Sequence, residues 1–170
     1  MLKRNLYACP SHIKDKCYKT LVRPIVEYSS TVWDPTTKKC IDKIEMVQRR
    51  AARFVKGDYR TTSSVTKMMK QLQWQPLQQR RKAAKAVMMN KILKKEIEIP
   101  SDHLVTSNSS HRTRGHQQRL VVPRSRINSH IQSFFPSATR IWNGLPQEVV
   151  NCSGNSEMFR ERVQRLGELC

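Results

Sequence analysis

The clearest hydrophobic pattern along the chain lies between residues 36 and 56. Apolar side chains recur there at helical spacing, and at about 100° per residue Ile44, Val47, Val55 and their apolar neighbours fall within an arc of roughly 160°. The opposite side is basic: Lys38, Lys39, Lys43, Arg49, Arg50, Arg53 and Lys56. Gly57 follows, a residue typical of helix C-termini. The pattern predicts a helix over 36–56 with one face in a core and the other face cationic.

Weaker periodic segments predict further helices over 12–22, 65–72, 74–97, 133–143 and 157–169. Residues 25–33 fit a helix or a strand, and 119–122 fit a short extended segment. Between the helices, 100–110 is rich in Ser, Asn, Asp and Thr without periodicity. We therefore predict a mostly α fold with at most short strands. Its parts are a basic helical region over 1–99, a polar, Arg-rich loop or linker over 100–118 and a small helical region over 119–170.

Charge narrows the choice of partners. The 170 residues contain 32 Lys and Arg against 13 Asp and Glu, a formal net charge of +19. Nearly all of this excess belongs to residues 1–95. A region of this sign and density attracts polyanions, so nucleic acid or an anionic membrane surface are the candidate partners.

The basic side of 36–56 has two interpretations. It is either a solvated helix face or a surface that contacts phosphates, and only Asp42 and Glu45 stand beside its seven cations. Glu45 and Arg49 are spaced for an i,i+4 ion pair that would neutralise one arginine. The predicted nucleic-acid-binding residues are Lys38, Lys39, Lys43, Arg49, Arg50, Arg53, Arg80, Arg81, Arg112 and Arg114.

The sequence gives no support for several other classes. There is no apolar run of about 18 residues and no signal-peptide pattern, so we expect a soluble intracellular protein, nuclear if expressed. The five Cys lack the spacing of a disulfide framework or a zinc site, so no metal or other cofactor is predicted. No phosphate-binding loop, nucleophile motif or converging set of carboxylates occurs. Trp33, Trp74 and Trp142 are predicted to anchor the core rather than to stack on bases.

Five blocks in order resemble one family. The first is 21–35 (LVRPIVEYSSTVWDP) with 44–55 (IEMVQRRAARFV), and 72–81 (LQWQPLQQRR), 113–116 (TRGH), 133–136 (SFFP) and 142–146 (WNGLP) follow. They resemble the region just after the polymerase core in LINE-type, non-LTR retrotransposon reverse transcriptases of the jockey-like and related clades. The resemblance extends over nearly the whole chain.

The resemblance implies a C-terminal, thumb and post-polymerase part of a larger polyprotein, whose palm and fingers would lie upstream. Residues 1–60 would correspond to thumb-like helices beside the primer and template, and the remainder would help to hold element RNA or target DNA. The chain has no counterpart of the palm aspartates or of the endonuclease, so we expect no DNA synthesis and no catalytic residue. The expected partners are RNA, an RNA–DNA hybrid or DNA, together with the upstream palm and fingers, and no membrane.

Two other interpretations stay open at this stage. The chain fits a basic helical protein-interaction module, or a relict open reading frame without biochemical activity. A sequence-specific helix-turn-helix protein would need amide side chains on a recognition helix, and 36–56 offers few of them.

Overall fold

The computed structural model describes residues 2–101, 105–107, 115–151 and 155–169. Helices make up most of this part of the chain, and no strand forms within it. Ser107 and Leu120 make an isolated antiparallel bridge. The predicted mostly α fold is confirmed. No helix in the described ranges is long and apolar enough to cross a membrane.

The chain divides into two compact units. Unit 1 comprises Met1–Ser30 and Pro35–Gln78, and unit 2 comprises Thr31–Asp34 and Gln79–Cys170. The division at Gln78 lies inside the region predicted as one basic helical part over 1–99. The short piece that ends at Asp34 belongs with unit 2 because the Asp34 carboxylate pairs with two cations of that unit.

The helices of the N-terminal half are mostly short. They are α1 (Leu2–Asn5), α2 (Ser11–Cys17), a π-helical turn (Tyr18–Val22), α3 (Arg23–Glu27), α4 (Ser30–Trp33), α5 (Lys38–Lys56) and α6 (Val65–Gln71). The wide turn ends at Val22, two residues before Pro24. Proline has no N–H to donate, and its ring clashes with the carbonyl four residues earlier, which here is that of Thr20 in the turn. The regular helix is therefore interrupted close to residue 22, where the predicted helix over 12–22 ends.

Helix α5 ends where the sequence predicts. Gly57 adopts a left-handed conformation with φ of 67°. The N–H of Asp58 donates to the carbonyl of Arg53 at 3.2 Å, and the N–H of Gly57 donates to that of Phe54 at 3.4 Å. Two otherwise unpaired carbonyls are satisfied by this arrangement, which favours glycine because it has no Cβ.

The core of unit 1 forms around two stacked rings. The ring centroids of Tyr18 and Trp74 are 4.3 Å apart, and Ala52, Val55 and Met68 complete the buried cluster. The indole Nε1 of Trp74 donates to the Asp15 carboxylate at 2.9 Å. Trp74 is a core anchor, as predicted.

Unit 2 is built on α7 (Leu77–Leu93, whose first two residues belong to unit 1), α8 (Asn128–Ile131), α9 (Phe134–Asn143), α10 (Gln147–Val150) and α11 (Ser156–Leu169). Its core contains Ala86, Met89, Trp142 and Phe159, all of them fully buried. The rings of Trp142 and Phe159 lie 5.8 Å apart. Trp142 is thus a second core anchor, again as predicted.

The prediction for Trp33 is wrong. Its side chain is 41% exposed, and the preceding Val32 is 83% exposed. Helix α4 is a single turn, and the residue that ties it to unit 2 is the following Asp34 through its carboxylate. The indole is therefore not enclosed in a core.

Candidate nucleic-acid interface

The orientation of α5 on unit 1 is set by the side that it buries. Gln48, Ala52 and Val55 are the fully buried residues of this helix. The Nε2 of Gln48, which is 1% exposed, donates to the carbonyl of Gln75 at 2.8 Å. Val47, predicted for the core, is instead 37% exposed. The buried face is rotated by about 45° from the centre of the predicted apolar arc, toward Gln48. The Gln48 amide has a backbone partner, which helps to offset the cost of its burial.

The opposite face of α5 carries the predicted cations. Six of them are exposed: Lys38, Lys39, Lys43, Arg49, Arg50 and Lys56. None of the six forms an ion pair with another residue that the structure describes. At 1.5 Å per residue the row is about 27 Å long, which matches about eight phosphates of one DNA strand. The face is therefore long enough, and positive enough, to follow a nucleic-acid backbone.

The predicted ion pair between Glu45 and Arg49 does not form. The Oε1 of Glu45 accepts a hydrogen bond from the backbone N–H of Gln78, at the N-terminus of α7, at 2.7 Å. A carboxylate is well suited to this position because the first N–H groups of a helix lack partners within it. Arg49 consequently keeps its full charge for an external anion.

Arg53 has a different role from its neighbours. It is half-buried, and its Nη1 donates to the carbonyl of Arg60 at 2.7 Å, which holds the loop after α5 against the helix. In the same loop Asp58 accepts from the Arg60 guanidinium, from the Ser63 hydroxyl and from the Arg60 N–H. The Arg60 guanidinium first, and then the Ser63 hydroxyl, hold the pKa of the Asp58 carboxyl well below its usual range. Arg53 thus orders the end of the cationic face as well as adding charge to it.

Arg81 must be removed from the predicted interface. It is 1% exposed, and its Nε donates to the Asp34 carboxylate at 2.8 Å. Lys85, one turn later on α7, is also buried, and its Nζ lies 2.9 Å from the other Asp34 oxygen. The prediction failed because the basic residues of α7 surround the helix, and the packing of unit 2 encloses part of that circumference. A guanidinium held in this way is not accessible to a phosphate.

The other predicted cations are placed less clearly. Arg80 is half-buried and has contacts of its own. Arg112 and Arg114 lie outside the described residues. The structure therefore brings the α5 cations together on one face but does not gather the whole predicted set on one surface. The face also includes the exposed Lys56, which is not among the predicted binding residues.

Several residues of the later family-like blocks have structural roles. Asn143 exchanges two hydrogen bonds with the backbone of Leu120, at 2.9 and 2.8 Å, in the manner of a paired strand. The Nε1 of Trp142 donates to the carbonyl of Gln118 at 2.8 Å, and the ring of His116 bonds to the carbonyl of Trp142 at 2.9 Å. These contacts fasten the segment 115–120 to the end of α9. The blocks TRGH and WNGLP thus include residues that bond to one another and need no ligand to account for them.

Comparison with known proteins gives no family assignment. No protein-family model, characterised protein or solved structure matches the chain. In addition, no three His, Cys, Asp or Glu side chains of the described ranges are grouped closely enough to hold a metal ion. The α5 surface and the ordered sequence blocks are therefore the features of the chain that bear on its function.

Proposed function

We propose that the chain binds nucleic acid through the phosphates, without catalysing a reaction, and that it is the C-terminal part of a LINE-type retrotransposon reverse transcriptase. RNA, an RNA–DNA hybrid and DNA are the partners of this proposal, and the nucleus is the proposed location. The observation that carries it is the exposed face of α5, where six cations stand without ionic partners among the described residues. The ordered sequence blocks support the family, and the face supports the binding.

Phosphate binding makes a quantitative prediction about salt. Each phosphate that a cation neutralises releases counterions, so six contacts predict roughly a thousandfold loss of affinity between about 50 and 200 mM salt. Fluorescence anisotropy with labelled single-stranded RNA, hybrid and duplex DNA of unrelated sequences measures this. A binding constant that stays flat over the range would contradict the proposal.

A triple variant locates the surface. Lys43→Gln, Arg49→Gln and Arg50→Gln remove three exposed charges from α5 and leave Arg53, whose bond to the loop is structural. For duplex DNA the slope of log affinity against log salt should fall by about 2.7, since each contact contributes about 0.9. Circular dichroism should show unchanged helicity.

The matched control removes the same charge elsewhere. Arg160→Gln, Arg165→Gln and Lys67→Gln change three exposed cations outside α5. Two of these side chains already lie near Glu157 and Glu161, so they are partly neutralised. We expect the control to bind with nearly parental affinity. Equal losses in both triple variants would show that net charge, and not the α5 face, drives binding.

A protein-interaction module is the competing proposal. In unit 1 the side chains of Tyr7 and Ile25 are 78% and 76% exposed, and a protein partner would cover such apolar surface. If the parent protein fails to bind any nucleic acid at low salt, the nucleic-acid proposal is wrong and the protein-interaction module is favoured.

A further inference from the structure

A second cationic feature lies in unit 2, in a pocket of about 620 Å³. The residues that line it include three arginines, Arg124, Arg126 and Arg140, and three apolar residues, Val122, Pro123 and Ile131. The volume lies within the range of about 300–1,000 Å³ that is typical of small-molecule sites. The α5 surface belongs to unit 1, so this pocket is a separate feature of the chain.

The charge of the pocket is not balanced locally. All three arginines are exposed, and none of them forms an ion pair within the described ranges. No Asp or Glu occurs in the sequence between Asp102 and Glu148, so no carboxylate is close along the chain either. Three unneutralised guanidinium groups at one pocket favour an anion, and the planar fork of arginine matches phosphate oxygens in particular.

The pocket is also partly ordered without a ligand. The Nη1 of Arg140, on α9, donates to the carbonyl of Ile131 at 3.3 Å, which directs its guanidinium along the wall. The hydroxyl of Ser125 donates to the carbonyl of Ile127 at 3.1 Å and fixes the turn between Arg124 and Arg126. Less conformational entropy is then lost when an anion binds.

The apolar wall distinguishes this pocket from a simple anion site. Val122, Pro123 and Ile131 offer a surface that a free phosphate cannot use, whereas the sugar or base of a nucleotide can pack against it. In a duplex the bases are stacked and paired, but in a single strand they can be turned outward to stack on flat groups such as guanidinium planes. The volume is sufficient for one such nucleotide.

We propose that this pocket binds one nucleotide unit of a single-stranded nucleic acid, with the phosphate on Arg124, Arg126 and Arg140 and the base or sugar against the apolar wall. The inference rests on the proposed nucleic-acid-binding function and adds a single-strand site to it. The α5 face then contacts phosphates along the nucleic-acid backbone, and the pocket provides a contact that requires an unpaired base.

The first experiment tests the pocket directly on the parent chain. Backbone amide shifts are followed by NMR during separate titrations with AMP, adenosine and inorganic phosphate, each up to about 10 mM. We expect AMP to shift the amides of Ser125, Arg126 and Ile131 at concentrations at least about fivefold lower than phosphate. If phosphate is as effective as AMP, the pocket is an anion site without nucleotide recognition and the proposal is wrong. If AMP shifts none of these amides, the proposal is also wrong.

The second experiment compares two double variants on an oligouridine of about 10 nucleotides. Arg124→Gln with Arg126→Gln should lower affinity on the order of 20-fold at about 0.1 M salt, and should reduce the salt slope by about 1.4, since each single-strand contact contributes about 0.7. The matched control, Arg160→Gln with Arg165→Gln, removes the same charge from exposed sites on α11. It should bind within about twofold of the parent.

The two proposals fail in different ways. Parental affinity of the Arg124/Arg126 variant, with an intact salt slope, would overturn the pocket and leave the α5 proposal standing. A parent chain that binds no oligonucleotide but shifts its pocket amides with AMP would overturn the proposed function and the single-strand site with it, and would leave only a pocket for free nucleotides. The titration of the parent chain decides the matter even if the double variant does not fold.

Discussion

Replacing Asp34 by Asn tests the reasoning about the buried charges of unit 2. The Asp34 carboxylate lies 2.8 Å from the Nε of Arg81 and 2.9 Å from the Nζ of Lys85, and these two side chains are 1% and 5% exposed. The Lys85 ammonium also donates to the hydroxyl of Ser137 at 3.1 Å. Asparagine keeps the volume of the side chain and removes the one carboxylate that pairs with Arg81 and Lys85 among the residues that the structure describes.

The expected loss is large because two buried cations then face each other without a carboxylate. An ion pair at about 3 Å is worth about 5 kcal/mol at an effective dielectric constant of 20, and part of that is offset by desolvation. Breaking a buried pair by removing one partner costs about 3–5 kcal/mol in measured cases. We expect Asp34→Asn to lower the free energy of unfolding by that amount, a large fraction of the usual total of about 5–15 kcal/mol.

Urea unfolding followed by circular dichroism measures the change. With a slope of about 2 kcal/mol per molar urea, the midpoint should fall by about 2 M. Glu161→Gln is the control, because it breaks a pair in which both side chains are more than half exposed, and it should cost about 0.5 kcal/mol or less. The combined variant Asp34→Asn, Arg81→Met, Lys85→Met removes all three charges and should regain most of the loss. A midpoint for Asp34→Asn that equals the control would refute the argument.

Two further predictions concern the indole rings and the loop after α5. Trp33 is 41% exposed, so the emission that acrylamide quenches in the free protein should come mainly from this residue. Trp33→Phe should therefore reduce the quenching constant, whereas Trp142→Phe should not. Equal quenching in the two variants would contradict the burial of Trp142. In an NMR pH titration the Asp58 carboxyl should stay ionised as the pH falls through about 3.9, the ordinary Asp value, because Arg60 and Ser63 lower its pKa. The pKa of Asp58 is lower in the folded protein than in the unfolded chain. The stabilisation from this carboxylate is therefore fully present above about pH 3.9, and it is lost as the pH falls further, toward the folded-state pKa. A titration midpoint near 4 would show that the loop contacts do not persist in solution.

The sequence by itself determined the features that depend on local periodicity. Helix α5 and its end at Gly57 follow from helical spacing and from the conformational freedom of glycine, both of which act within a few residues. The exposed row of cations along α5 follows from the same spacing, because the apolar residues face one way and the charged ones the other. The mostly α fold is the sum of such local preferences.

Only the tertiary structure decided which polar residues stay at the surface. Gln48 is buried because the Gln75 carbonyl, far along the chain, accepts from its amide, and Glu45 is drawn from its neighbour Arg49 to the first turn of α7. In the sequence Arg81 does not differ from the other cations of a basic helix. It is buried because folding brings the Asp34 carboxylate, 47 residues away along the chain, to its guanidinium. Residues 122–126 and Arg140 are separated along the chain, so no local pattern predicts that they line one pocket. Hydrophobic spacing is read within a single helix, whereas burial of a charge depends on a partner that folding brings from elsewhere, and this is why the cationic face could be predicted and the buried cluster and the pocket could not.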